Sequence, residues 1–249
     1  MTARTIRVDD WTPYYEGMNQ ALAIDPQKTV VLTVDMQRKY LDMEIATSPV
    51  PPEDAERVLR HARELLDFSR SQGIPVVHVY STRRPIELEH GFGGTRGQTI
   101  GEPLKLRQNR RGPAVRGPDR LIGSAESEVP ASLVEPSDVH VTTKKTTDGY
   151  LYSDLDGLLS RALKPETVVL TGINTDTCVY NTTFSTATRG YRAVVISDCV
   201  ATFRGRDAHE MALELMGRSI AWVLTVEQFR EKVLARRKVA AILAPPGKR

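Results

Sequence analysis

The sequence predicts an α/β protein: a three-layer α/β/α sandwich around a central, mostly parallel sheet of six strands. Two observations support this fold class. Short runs rich in β-branched residues are apolar almost throughout, which is typical of strands that are covered on both faces. Stretches with apolar residues at three- and four-residue steps separate these runs, and such alternation favours right-handed βαβ units.

The predicted strands are five strong runs and a weaker sixth. They cover residues 29–34 (TVVLTV), 75–80 (PVVHVY), 139–143 (VHVTT), 167–170 (TVVL), 193–196 (AVVI) and 220–224. In open parallel sheets, ligands bind beyond the carboxyl ends of the strands. The residues that follow each run are therefore the first candidates for function.

The predicted helices lie between these strands, at 52–72, 153–163, 178–190, 207–217 and 226–238. Gly73 is expected to end the first helix and Ser153 to cap the second. The segment 83–136 shows no sustained period, and a connection of that length is usually functional or a subunit contact. We interpret residues 1–249 as one domain with its core at about 29–224, an N-terminal arm at 1–25 and a disordered tail at 239–249.

The composition is that of an ordinary globular protein, with 40% hydrophobic and 26% charged residues. The net charge of +3 is too small to indicate a nucleic-acid or membrane partner. The N-terminus lacks the apolar segment of a signal peptide, and no run of about 18 apolar residues could span a bilayer. The two cysteines do not make a disulfide framework, so we expect a reducing, cytoplasmic environment.

Arginine is concentrated in the connection between the second and third strands. The residues are Arg83, Arg84, Arg96, Arg107, Arg110, Arg111, Arg116 and Arg120. They fit a solvated loop or a subunit contact. One or two of them could instead hold a substrate carboxylate, because guanidinium matches a carboxylate as a two-pronged donor. Nucleic-acid binding is disfavoured, since no aromatic residues are interleaved with the run.

Three strands are followed by chemically useful side chains. Asp35 ends the first, Lys144 and Lys145 end the third, and Cys178 follows the fourth. Taken singly, each has an ordinary explanation as a helix cap, a solvated lysine or a buried thiol. Together they supply an acid, a base and a nucleophile at one edge of one sheet, which is what nucleophilic catalysis needs.

The surroundings of Cys178 support the same hypothesis. Gly172 is expected to permit a tight turn after the fourth strand. Cys178 would then begin a helix, where the helix dipole, free backbone N–H groups and a nearby lysine favour the thiolate. The second cysteine, Cys199, is interpreted as structural.

Three stretches resemble the isochorismatase-like cysteine hydrolase family. They are TVDMQ, KKTTDGYLYSDLDGLL and GINTDTCVYNTTFSTATRGYRAVVISDCVA, and the likeness extends over roughly residues 29–224. The family includes nicotinamidases, N-carbamoylsarcosine amidohydrolases, biuret hydrolases and ureidoacrylate amidohydrolases. The resemblance implies an isochorismatase-like fold and a catalytic triad of Asp35, Lys144 and Cys178, with Lys145 as the alternative lysine.

The resemblance also implies how the triad would work. A cis peptide bond is expected between Ile173 and Asn174, and the backbone N–H groups of Asn174 and Cys178 would form an oxyanion hole. The expected activity is hydrolysis of a C–N bond in a small amide, ureide or carbamoyl or ureido acid through a thioester on the cysteine. No cofactor is expected, and the family suggests a homodimer or homotetramer.

The sequence departs from the family pattern in two places. Metal-binding members carry an Asp-x-His and a further histidine after the second strand, whereas here His78 lies within that strand and His90 is isolated. We therefore expect no metal. After the lysine, Asp148, Gly149 and Tyr150 replace the frequent Ser-Ala-Phe of the family, so the analogy does not identify the substrate.

Residues that contact the substrate are less well defined. Gln37, Tyr40, Tyr150, Tyr152 and Phe203 are candidates, with an ordinary packing or surface role equally open for each. The Asn174 side chain could contact the substrate or only stabilise its turn. Two other activities are considered. One is isochorismatase-type vinyl ether hydrolysis, whose family members lack the cysteine, and the other is nonenzymatic binding on the same fold.

Overall fold

The computed structural model describes residues 9–89 and 120–243, with side chains to residue 236. Within these ranges six strands form one sheet in the order β3-β2-β1-β4-β5-β6, and each neighbouring pair is parallel. The strands are β1 (Thr29–Val34), β2 (Val76–Ser81), β3 (Val139–Lys144), β4 (Thr167–Ile173), β5 (Arg192–Ala201) and β6 (Trp222–Leu224). The predicted fold class is confirmed.

Helices connect the strands. They are α1 (Thr12–Ala21), α2 (Arg38–Leu41), α3 (Pro52–Ser71), α4 (Pro85–Glu89), α5 (Leu155–Gly157), α6 (Tyr180–Thr188), α7 (Arg206–Ser219) and α8 (Val226–Leu243). A π-helical segment, Leu158–Leu163, continues α5, and a second one, Thr175–Val179, leads into α6. Among the helices described, none has the length and apolar character needed to cross a membrane.

Two hydrophobic clusters lie on opposite faces of the sheet. Side chains alternate along a strand, so Val31 of β1 belongs to one cluster and Leu32 to the other. Residues of α3 and α8 fill the first cluster, among them Leu65 and Phe229, while Leu155 and Met216 of α5 and α7 fill the second. Each cluster forms a core between the sheet and a helical layer.

The order of the strands reverses between β1 and β4. From β1 the chain adds β2 and β3 on one side, and then returns to add β4, β5 and β6 on the other. Such a switch point leaves a crevice at the carboxyl ends of the two central strands, where ligands bind in open α/β sheets. Asp35 directly follows β1 at this crevice, and the turn that carries Cys178 directly follows β4.

The β4 strand differs from its prediction at Gly172. The strand extends to Ile173, so Gly172 lies inside it rather than in a turn. Its φ is +128°, and a Cβ atom there would lie 1.9 Å from the carbonyl oxygen of Val34 on β1. The glycine is required by the close approach of two backbones, because a side chain has no room at this position.

Strand β5 is longer than its apolar core, which covers residues 193–196. The polar residues Ser197 and Asp198 interrupt the apolar run after this core. The sequence therefore does not indicate that the strand continues to Ala201. Arg57 of α3 donates hydrogen bonds to the carbonyl oxygens of Asp198 and Val200, at 2.9 and 3.1 Å. This tertiary contact stabilises the outer part of the strand together with the burial of Cys199, Val200 and Ala201.

The ends of two helices also differ from prediction. Helix α8 was expected to end near Lys238 but continues to Leu243, since residues 239–243 (VAAIL) contain no glycine or proline. The remainder of the predicted tail, residues 244–249, lies outside the described residues. Helix α5 begins at Leu155 with Asp154, and not Ser153, as its N-cap residue, although the Ser153 hydroxyl accepts the Leu155 N–H at 3.2 Å.

The N-terminal arm contains helix α1, which the sequence did not predict. The helix has no buried residue, so it lacks a strong apolar stripe. Its contacts are polar: the Tyr15 hydroxyl donates to the Glu214 carbonyl at 3.4 Å, and the Trp222 indole N–H donates to the Met18 carbonyl at 3.2 Å. These bonds hold the arm against α7 and β6.

Candidate active site

The three residues predicted as a triad lie together at the switch point. The Lys144 ammonium is 2.5 Å from the Asp35 carboxylate, and both side chains are fully buried. The Cys178 thiol is hydrogen-bonded to the same carboxylate. An acid, a cation and a sulfur from the ends of β1, β3 and β4 therefore share one buried contact.

Lys144 reaches Asp35 across the end of β2. The register between β2 and β3 shifts at Ser81, which pairs with both Thr143 and Lys144. A bulge of this kind re-aims a side chain, and here the Lys144 side chain is buried at the strand end. The Lys144 ammonium also donates to the Ser81 hydroxyl at 3.3 Å.

Ser81 supplies further hydrogen bonds to the Asp35 carboxylate. Its backbone N–H and its hydroxyl donate to the second oxygen of Asp35, at 3.0 and 3.2 Å. Both carboxylate oxygens of Asp35 are thus hydrogen-bonded, as a buried charge requires. Sequence reasoning did not select Ser81, although it ends a predicted strand and the rule that selected Asp35 applies to it as well.

Lys145 has a different role from its neighbour. Its ammonium donates to the Thr82 carbonyl at 2.7 Å and forms an ion pair with Glu87 at 2.9 Å. Burial raises the pKa of Glu87, but hydrogen bonds from Arg84 and the Lys145 charge bring it down to about 2. Lys145 is therefore engaged on the far side of the β3 end, and Lys144 is the lysine that contacts Asp35.

Asp35 is held in its charged form. Burial raises its pKa, but the charge of Lys144, hydrogen bonds from Cys178 and Lys144, and the charge of Arg120 together leave it below the usual 3.8. At neutral pH the carboxylate is therefore ionised and able to accept a proton.

The Cys178 thiol is held in its neutral form. Burial is the largest influence and raises its pKa from 9.0 to about 11; the charge of Lys144 lowers the pKa, while the charge and hydrogen bond of Asp35 raise it. Lys144 thus favours the thiolate as expected, but burial outweighs it, and the sulfur is not the thiolate that the sequence predicted. Cys178 also lies within the π-helical segment Thr175–Val179 rather than at the first residue of a helix.

The Ile173–Asn174 peptide bond is cis, as the family resemblance implied. The Asn174 carbonyl accepts the N–H groups of Thr177 and Val179, at 3.2 and 3.1 Å, which fixes the turn around Cys178. The side-chain oxygen of Asn174 accepts the Phe203 N–H and the Thr202 hydroxyl, both at 3.3 Å. Of the two roles left open for this side chain, its contacts are those of a residue that stabilises the turn.

Gln37 is anchored beside Asp35. Its side-chain amide donates to the carbonyls of Ser81 at 3.0 Å and Ser127 at 2.6 Å. The two bonds fix the orientation of the amide, and its buried oxygen has no hydrogen-bond partner among the described residues. Gln37 thus ties the ends of β1 and β2 to the segment that precedes β3.

The four candidate aromatic residues do not form one wall. Tyr40 and Phe203 stack with ring centroids 6.3 Å apart and an interplanar angle of 11°. Tyr150 packs in the other core cluster, where its hydroxyl is hydrogen-bonded to Thr186 at 2.9 Å. Tyr152 is 72% exposed. Tyr40 and Phe203 therefore share one environment, and Tyr150 and Tyr152 each lie in a different one.

His78 and the second cysteine have structural surroundings. His78 is buried between the Thr33 hydroxyl at 2.7 Å and the Asp138 carboxylate at 3.1 Å. Cys199 is fully buried in the core. Within the described ranges, no group of three or more His, Cys, Asp or Glu residues could hold a metal ion. His90 and five of the eight arginines (Arg96, Arg107, Arg110, Arg111 and Arg116) lie outside those ranges.

The fold and the site can now be compared with known proteins. The isochorismatase domain model matches residues 29–228, so the chain belongs to the isochorismatase family of hydrolases. Within that family it is similar to the ureidoacrylate amidohydrolase RutB of Methylorubrum extorquens, with 30% identity over 84% of each chain. The corresponding protein of Methylobacterium radiotolerans is 29% identical over 84% of this chain and 81% of the relative.

Solved structures share the fold. A cysteine hydrolase from Pseudomonas syringae pv. phaseolicola superimposes with a TM-score of 0.68 at 18% identity, covering 86% of this chain and 96% of the other. N-carbamoylsarcosine amidase from Thermoplasma acidophilum gives 0.61 at 23% identity, covering 80% and 97%. At these identities the likeness concerns the fold alone.

Proposed function

We propose that the chain is an amidohydrolase that cleaves a C–N bond of a small amide, ureide, or carbamoyl or ureido acid, with Cys178 as nucleophile. The observation that carries this proposal is the buried carboxylate of Asp35, which contacts both the Lys144 ammonium and the Cys178 thiol. A nucleophile beside a base that is itself oriented by a third group is the pattern expected for covalent catalysis.

In the first step the Asp35 carboxylate accepts the Cys178 proton as the sulfur attacks the substrate carbonyl. Because the thiol pKa of about 11 leaves little thiolate at neutral pH, proton transfer must accompany the attack. Lys144 stays beside Asp35 and stabilises the charged carboxylate before the transfer. The buried ion pair therefore maintains Asp35 as an ionised base while the Cys178 sulfur remains protonated.

The attack converts the carbonyl oxygen to an oxyanion. We propose that the backbone N–H groups of Asn174 and Cys178 stabilise it, a contribution of about 3 kcal/mol per donor in comparable sites. Asn174 is held by the loop after β5 and Cys178 by the turn after β4. Such fixed donors need no rearrangement when the charge develops.

Collapse of this intermediate breaks the C–N bond. The protonated Asp35 gives its proton to the leaving nitrogen, and the acyl group remains on sulfur as a thioester. Water then attacks the thioester with Asp35 again as base, which releases the acid product and restores the Cys178 thiol. The names of the similar amidohydrolases agree with this bond specificity.

The proposal is tested by screening small amides, ureides and ureido acids for ammonia release. We expect the Cys178→Ala variant to lose at least about 10⁴-fold in turnover, because removing the nucleophile of such a unit removes most of the catalysis. The matched control is Cys199→Ala, which removes the other thiol of the chain, from the core, and should retain turnover.

A second measurement separates catalysis from simple binding. Rapid quenching with a poor substrate, followed by intact-mass analysis, should reveal one acyl adduct, located on Cys178 by peptide mapping. Turnover by Cys178→Ala at the wild-type rate would exclude Cys178 as the nucleophile. The absence of amide turnover in the wild type would instead favour the vinyl ether or binding alternative.

A further inference from the structure

We propose that Arg120 binds a carboxylate of the substrate and thereby selects acidic amides or ureides over neutral ones. The inference rests on the proposed function, in which Cys178 attacks the substrate carbonyl. It adds a residue that determines specificity, located in the connection between β2 and β3. Four sets of contacts and charges lead to it.

The backbone of Arg120 is joined to the strand end that carries Ser81. Two residues beyond Ser81, the Arg83 N–H donates to the Arg120 carbonyl at 2.7 Å, and the Arg83 carbonyl accepts the Ile122 N–H at 2.9 Å. These bonds form a parallel bridge between Arg83 and Leu121. Residue 120 is therefore located at the carboxyl edge of the sheet, next to the strand whose end binds Asp35.

The other end of the same segment is tied to the residues after β1. The Gln37 side chain donates to the Ser127 carbonyl at 2.6 Å, and the Arg38 N–H donates to the Glu128 carbonyl at 2.8 Å. Segment 120–128 is thus attached at both ends to the residues that surround Asp35. It is a fixed part of the site and not a remote loop.

Glu126 stabilises the segment from within. One of its carboxylate oxygens accepts the Arg120 N–H at 2.8 Å, and the other accepts the Thr47 hydroxyl at 3.1 Å. The backbone of Arg120 is therefore restrained by both a neighbouring strand and a side chain. A restrained backbone lowers the conformational entropy lost when the guanidinium engages a ligand.

The charge of Arg120 acts at the reacting groups. After burial and the closer Lys144, it is a further influence on the pKa of both Asp35 and Cys178, and it lowers both. Arg120 is half-buried, and its backbone is bonded beside the strand end that carries Ser81, so its charge lies near the site and is partly accessible from outside.

An arginine in this position suits a carboxylate. Guanidinium offers parallel N–H donors that match the two oxygens, and a partly buried setting strengthens such a charge-assisted bond. A substrate held there by one end would present its carbonyl group to Cys178 at a fixed distance. Neutral amides would lack this interaction with Arg120.

The first test compares two alkylating agents that share a leaving group, iodoacetate and iodoacetamide. The ratio of their rates at Cys178, followed by peptide mass mapping, reports how strongly the site attracts an anion, because any change in thiol reactivity affects both reagents. We expect Arg120→Gln to lower the iodoacetate-to-iodoacetamide ratio about 10-fold or more. Arg120→Lys, which keeps the charge, should lower it less.

The second test compares two ureides that differ by a carboxylate, 3-ureidopropanoic acid and propylurea. Wild type should prefer the acid in kcat/KM, and Arg120→Gln should reduce this preference about 100-fold, as expected when one partner of a buried charged hydrogen bond is removed. Arg206→Gln is the matched control: its side chain is 89% exposed, and it should keep the wild-type ratio in both tests.

The outcomes are distinguishable. An unchanged alkylation ratio in Arg120→Gln, or a wild type that processes propylurea as well as the acid, overturns the role of Arg120 and leaves the amidohydrolase proposal standing. If neither ureide nor any other amide is hydrolysed while the alkylation ratio still falls, the amidohydrolase proposal fails and the anion site at Arg120 remains.

Discussion

Asp35 is the residue on which the candidate site depends. Its fully buried carboxylate receives hydrogen bonds from Lys144, Ser81 and Cys178. Removing an ion pair from water is costly, and only close geometry with additional hydrogen bonds offsets that cost. Asp35 and Lys144 therefore form an ion pair without net charge, which is stable as long as both partners are present.

This pairing predicts a thermodynamic signature. Lys144→Met should destabilise the protein by about 3–5 kcal/mol, because it leaves the Asp35 carboxylate buried without a counterion. Asp35→Asn should be destabilising for the converse reason. The double variant should be more stable than the sum of the two effects implies, by at least 1 kcal/mol in urea unfolding. Additive effects would mean that the two charges do not interact as described.

At the residue scale, the sequence predicts which residue types form the candidate site but not their contacts or their protonation states. Asp35 and Cys178 were found because they follow strands, and Lys144 because a third strand ends there. The choice between Lys144 and Lys145 depends on the bulge at Ser81, which has no pattern in the sequence. The neutral thiol could not be foreseen either, since its pKa depends on burial by residues distant along the chain.

At the scale of elements, the contact between β1 and β4 controls the position of the site. Val34 of β1 pairs with Gly172 of β4, and the two following turns carry Asp35 and Asn174. The strands approach so closely at this pair that only glycine fits. The distance between the carboxylate and the thiol is therefore controlled at this pair, one residue before Asp35 and two residues before Asn174.

Gly172→Ala should consequently reduce both stability and activity. The added methyl group would lie 1.9 Å from the Val34 carbonyl oxygen, so the strands must separate. We expect a loss of more than about 3 kcal/mol in unfolding free energy, beyond the usual effect of a strained backbone. Gly157→Ala is the control: in α5 its Cβ would meet nothing within 4 Å, and it should be neutral or slightly stabilising. Equal stability of both variants would contradict this description.

Elements with a hydrophobic pattern were predicted well, and others were not. The six strands and five of the helices follow from apolar runs and spacing. Helix α1 is held by polar tertiary contacts, and the outer half of β5 is separated from its apolar core by Ser197 and Asp198, so neither gives a continuous hydrophobic signal. The π-helical segment around Cys178 is of the same kind, because the hydrophobic pattern there fits an α-helix equally well.

At the scale of the whole molecule, a buried polar network crosses one side of the sheet. His78 of β2 is hydrogen-bonded to Thr33 of β1 and to Asp138, which also forms a 2.6 Å ion pair with Arg70 of α3. Burial lowers the pKa of His78 to about 4, although Asp138 acts in the opposite direction. The network thus joins two strands and a helix around a histidine that burial keeps neutral at pH 7.

The network predicts how stability changes with pH. Since the pKa of His78 is lower in the folded chain, about 4, than the ordinary 6.5, the unfolded chain binds more protons between these values. Stability is therefore full above pH 6.5 and falls by up to about 3 kcal/mol as the pH is lowered to 4. His78→Gln should flatten this part of the profile in denaturant unfolding, and an unchanged slope would exclude His78 as the cause.

The overall architecture was the most predictable level. A parallel sheet covered on both faces produces apolar strands and amphipathic helices, and both appear in the sequence before any coordinates. What could not be predicted is how segment 120–128 returns to the sheet edge, because its contacts are single hydrogen bonds between distant residues. The surroundings of the site are therefore less evident in the sequence than its centre.

The buried, protonated state of Cys178 has a consequence for the chemical lifetime of the protein. Peroxide oxidises cysteine through the thiolate, and a thiol with a pKa of about 11 offers very little of it at neutral pH. The environment that, in the proposed mechanism, makes the sulfur dependent on Asp35 for its reactivity thus also protects it from conversion to sulfenic acid in the absence of substrate.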